Sequence, residues 1–127
     1  MAAMTVTNAG LDLVRDALLL GTVPQVTWFA IGTSATAPAV TDVQLGAEVF
    51  RKQITSVSNG AAHGEGILNG YISPQDSVGT VIAEWGLFGG ATASATANSG
   101  TLIARGLYSH THTAVESIQL QADSTGA

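Results

Sequence analysis

Two runs, TVIAEWGLF (80–88) and TLIARGLYS (101–109), decide the fold of this chain. Both are rich in β-branched and aromatic residues, and both are apolar on alternate positions and between them. Runs of this kind predict strands covered on both faces. Strict alternation places Ile82, Glu84, Gly86 and Phe88 on one face and Val81, Ala83, Trp85 and Leu87 on the other. In the second run Ile103, Arg105 and Leu107 share a face. Each strand therefore carries one charge, Glu84 or Arg105, between apolar neighbours. A buried charge is costly unless paired. The two are expected to pair with each other, or with Arg51 and Glu48.

Working outward, 26–33, 52–58, 66–73 and 115–122 also read as strands. Between them lie turn-rich pieces, among them GGATASATANSG (89–100), which reads as a flexible hairpin tip at the surface. Residues 42–52 fit either a short helix or an extended lead into a strand. Gly46 weakens the helix. Residues 8–21, NAGLDLVRDALLLG, predict the one clear helix, with Asn8 as its cap and Gly21 as its stop. The expected fold is mainly β with a short N-terminal helix (α+β), an antiparallel β-sandwich or sheet. It forms one domain over 1–127, with a β-rich core over about 26–122 and a short flexible tail.

Leu11, Val14 and Leu18 recur at helical spacing and form one apolar stripe. Leu13, Leu19 and Leu20 fall off it, so the helix is apolar on more than one side. Such a helix needs a second partner, which makes Leu13, Leu19 and Leu20 the candidate interface. The loop 34–42 reads as a mobile partner to this surface.

Composition points the same way. The chain has 127 residues, 46% of them hydrophobic and only 10% charged. Ordinary soluble domains are about a quarter charged. A surface so poor in charge is expected to be covered by neighbours. The net charge is −5, and the bases are Arg15, Arg51, Lys52 and Arg105 alone. No basic stripe exists to neutralise phosphates, so nucleic acid is excluded as a partner. Anionic membrane surfaces are excluded likewise. Without cysteine there is no disulfide, thiolate catalysis or Cys-based zinc site. The N-terminus lacks the pattern of a secretory signal, and the apolar runs are too short to span a bilayer.

Chemistry-bearing constellations are missing. No nucleophile elbow, Walker loop, dinucleotide fingerprint or H-E-x-x-H stands in the sequence. No catalytic residues and no cofactor are expected. His110 and His112 would share one face of a strand, and a three-fold axis could gather six imidazoles for an octahedral metal. His63 could join them only through the fold. Two histidines do not make a site, and solvated side chains after a strand end are the simpler reading.

The ordered set AIGTSATAP (30–38), LGAEVFRKQIT (45–55), Gly70-Tyr71, GTVIAEWGLFGG (79–90) and SGTLIARGLYS (99–109) resembles the N-terminal attachment domain of phage tail-collar and tail-fibre proteins. The likeness covers roughly residues 10–110 and rests on five elements in order. It implies a non-enzymatic virion protein, assembled in a host cytoplasm. Such a protein anchors a tail fibre at the baseplate or tail tip, commonly as a homotrimer among other tail proteins. Glu48, Arg51, Glu84 and Arg105 match the charged positions of the pattern, with internal scaffolding as their role. The relatives often continue into a long fibre shaft and receptor-binding tip, so this shorter chain is expected to be a free-standing adaptor or the attachment piece of a split fibre. Two other functions fit the residues: a capsid decoration protein, and a carbohydrate-binding receptor module stacking sugars on Trp28, Trp85, Tyr71 or Tyr108.

Overall fold

A computed structural model describes residues 4–22, 25–54, 56–59, 61, 66–72, 79, 81–111 and 118–124. The chain is mainly β, with one short N-terminal helix and antiparallel sheets. Its elements are β1 (Met4–Val6), α1 (Asn8–Leu20), β2 (Val26–Gly32), β3 (Glu48–Gln53), β4 (Ser56–Asn59), β5 (Gly66–Ile72), β6 (Val81–Gly89), β7 (Thr101–Thr111) and β8 (Ile118–Ser124). One sheet has five strands in the order β1-β7-β6-β2-β3, and the other has three in the order β4-β5-β8.

The runs that decide the fold become β6 and β7, neighbours at the centre of the larger sheet. Segment 42–47 is extended and turned, not helical, and β3 begins at Glu48. The strand expected over 52–58 is split, because β3 ends at Gln53 and β4 starts the second sheet at Ser56. Strand β1 was invisible in the sequence. Three residues make too short a run to show alternation.

Simple alternation fails along β6. Its register on β7 slips between Ile82 and Glu84, and again between Leu87 and Phe88. Ile82 consequently packs with Phe29, Ile31, Trp85 and Leu87 rather than with Phe88. On β7 the second slip pairs Leu102 with Phe88 and Ala104 with Leu87, leaving Ile103 as the extra residue. Leu102, not Ile103, therefore joins Phe88, Ala30 and Leu45 in a second cluster.

The two clusters lie on the two faces of the five-stranded sheet. The first is backed by Leu68 of β5, and Phe29 lies directly against Gly70 of that strand. A side chain at position 70 would occupy the space of the Phe29 ring. The second cluster is covered by the segment 33–47, which brings buried Leu45 over Gly86.

The helix is capped by Thr7, not by Asn8. The Thr7 hydroxyl accepts from the Gly10 N–H at 3.0 Å and donates to the Leu102 carbonyl, while its own N–H donates to Ile103 O at 3.0 Å. One buried threonine thus ends β1, starts α1 and fixes both to β7. Gly21 closes the helix in the left-handed conformation, at φ 71°. Gly10 brings the helix down onto the backbone of β7. A Cβ there would lie 2.6 Å from Ile103 O and 2.9 Å from Ile103 Cα.

Gly10→Ala tests this contact. Alanine adds about 1 kcal/mol of helix propensity. Overpacking against a backbone that cannot rotate away costs about 1–3 kcal/mol. The second effect is expected to win. The thermal midpoint by circular dichroism should fall by several degrees, against the rise expected of an unconstrained helix position.

Candidate functional site

The charged residues singled out in the sequence sit on one face of the larger sheet. Register places Arg51, Ala30, Gly86, Arg105 and Thr5 in a single cross-strand row, on β3, β2, β6, β7 and β1. Two small residues separate the arginines, and Leu45 plugs the space above Gly86. At about 4.8 Å per strand the arginines stand on the order of 14 Å apart. Each must find its own carboxylate, and each does.

Arg105 takes Glu84. Its Nε donates to Glu84 Oε2 at 2.8 Å, and Nη2 lies 2.6 Å from the same oxygen, close enough for charge contact but not aligned for a second hydrogen bond. Glu84 also accepts from the backbone N–H groups of Gly46 (2.9 Å) and Ala47 (2.7 Å). The residue is 0% exposed, and Arg105 2%. Arg105 Nη1 reaches Asp42 at 3.3 Å, and Asp42 accepts from the Ala39 N–H at 2.9 Å. Val40 O accepts from the Asn8 N–H at 2.7 Å. The segment 34–42, expected to be mobile and available for docking, is therefore tied to the core and to the start of the helix.

Arg51 takes Glu48 in a two-pronged pair, Nε to Oε2 at 2.7 Å and Nη2 to Oε1 at 2.8 Å. Nη1 donates to Ser94 O (3.0 Å) and Ser99 O (3.1 Å), and the guanidinium lies 4.4 Å above the Phe88 ring. Glu48 Oε1 accepts from the Asn98 N–H at 3.1 Å. The segment 90–100, expected to be a flexible tip, is instead held by this ion pair and by hydroxyl bonds between Ser94 and Ser99. Its composition concealed this, because small polar residues suit a free loop and a bonded one equally.

The helix surface departs from expectation in a useful way. Gly10 is buried, and Leu13 is half-buried, with its methyl groups in contact range of Gly90. Leu13 thus turns toward the inward face and is the least exposed of the three interface candidates. Leu11, Val14, Leu18, Leu19 and Leu20 are 51–81% exposed. The stripe Leu11/Val14/Leu18 is exposed, and so are Leu19 and Leu20; Arg15 lies between Leu11 and Leu19, and Leu20 turns to another side of the helix. Gly10, with no side chain, brings the helix down onto the backbone of β7 beside Ile103. On the same helix Arg15, hydrogen-bonded to Asp16 and close to Asp12, has its guanidinium held above its ordinary pKa.

A second uncovered feature lies at the far edge of the sheet. An open groove of about 630 Å³ runs along β3, lined by Trp28, Phe50, Arg51, Lys52, Gln53 and Ile54. Ile54 N donates to Thr27 O at 2.9 Å. In an antiparallel pair this turns the backbone of Phe50 and Lys52 toward β2, and that of Arg51 and Gln53 outward.

Of the aromatic candidates for sugar stacking, Trp85 is buried in the core, Trp28 is half-buried at the groove, and Tyr71 is exposed. The backbone of His110 pairs with Ile82 in β7, while His63 and His112 lie outside the described residues. Among the described residues no three metal-ligating side chains converge, and no helix is long and apolar enough to cross a membrane. No family model, curated protein or solved structure matches the chain.

Two predictions follow from the ion pairs. Glu84→Ala or Arg105→Ala leaves a buried charge without its partner, and each is expected to cost about 3–5 kcal/mol in denaturant unfolding. Melting like the wild type would refute the burial described above. Arg51→Lys keeps the charge but loses the fork and the flat contact with Phe88. Amide hydrogen exchange should then speed up over 94–99 while β6 and β7 keep their protection.

Proposed function

We propose that this chain is a non-enzymatic structural protein of a phage tail. It attaches a tail fibre, or serves as an adaptor for one, at the baseplate or tail tip. It works as a homotrimer among other tail and baseplate proteins, and reaches the virion after assembly in the host cytoplasm. The single observation that carries an assembly role is the uncovered leucine surface of α1. Five large apolar side chains on one short helix are solvated in the isolated chain. Among them Leu11, Val14 and Leu18 form a stripe, and exposed contiguous apolar surface marks a place where another protein sits.

Two further observations support the reading. The four residues that match the charged positions of the tail-collar pattern form two buried pairs, Glu84–Arg105 and Glu48–Arg51. Buried there, they act as internal braces and not as acid or base groups facing a cleft. The braces also hold the segments 33–47 and 90–100 against the sheet, as a joint under mechanical load requires.

The test uses particles purified from the source of the sequence. Mass spectrometry should find this protein in the tail fraction. Leu18→Gln/Leu19→Gln should leave circular dichroism of the isolated protein unchanged, since both side chains are exposed. Particles made with that double variant should lack this protein and whatever lies distal to it. Normal incorporation of the folded variant would overturn the role given to the helix. Absence of the wild-type protein from tails would overturn the tail assignment.

A further inference from the structure

We draw no further inference here: the strongest candidate, the open groove at the β3 edge beside Trp28, Phe50 and Ile54, carries nothing, because these side chains already pack on the core and nothing in the structure shows what covers the edge.

Discussion

Glu84 is the constraint on which the rest of this structure hangs. A carboxylate with no solvent contact must find its partners inside the protein. It finds them in three places at once: Arg105 on the next strand and the backbone N–H groups of Gly46 and Ala47. Those two N–H groups belong to the segment that covers the sheet. Holding them brings Leu45 onto Gly86 and closes the second core cluster. Gly32 stands beside the carboxylate, where a Cβ would collide with Glu84 Oε1. The charge, the glycine and the covering segment thus form one unit.

The second pair works on the same plan with different parts. Arg51 is flat, always charged and able to donate in several directions. It spends two directions on Glu48 and one on the carbonyls of Ser94 and Ser99. Its flat face covers Phe88. Two long irregular segments, 33–47 between β2 and β3 and 90–100 between β6 and β7, are both fastened by buried guanidinium groups. Few charges are present, and the best placed of them are used internally. That leaves a surface poor in charge.

The apolar helix follows from a packing constraint at the other edge. Only a glycine permits α1 to approach Ile103 so closely. With Gly10 inward, helical geometry turns Leu13 and Ala17 the same way, while Leu11, Val14 and Leu18 stay more than half exposed. The helix packs through Gly10, Leu13 and Ala17 and leaves Leu11, Val14 and Leu18 exposed. An ordinary surface helix turns its large apolar stripe to the core, and here the stripe Leu11/Val14/Leu18 is left exposed.

The sequence by itself determined the fold class, the central strands β6 and β7, the helix and its stop at Gly21, and the four charges that had to be paired. Each of these is a local property: residue type, alternation, a cap, or a charge among apolar neighbours. Pairing between Glu84 and Arg105 was legible because both charges stand on apolar strands. Three things were decided only by the tertiary structure. The slips in the β6–β7 register moved Ile82 and Leu102 to faces that alternation denies them, since one extra residue reverses every side chain beyond it. The division of four charges into two separate pairs depended on a row across five strands, which no spacing along one strand contains. Which side of α1 faces outward was settled by a glycine against a backbone 93 residues away in sequence, between Gly10 and Ile103. Hydrophobic periodicity sees only that the helix has apolar sides; close packing against a neighbour chooses between them.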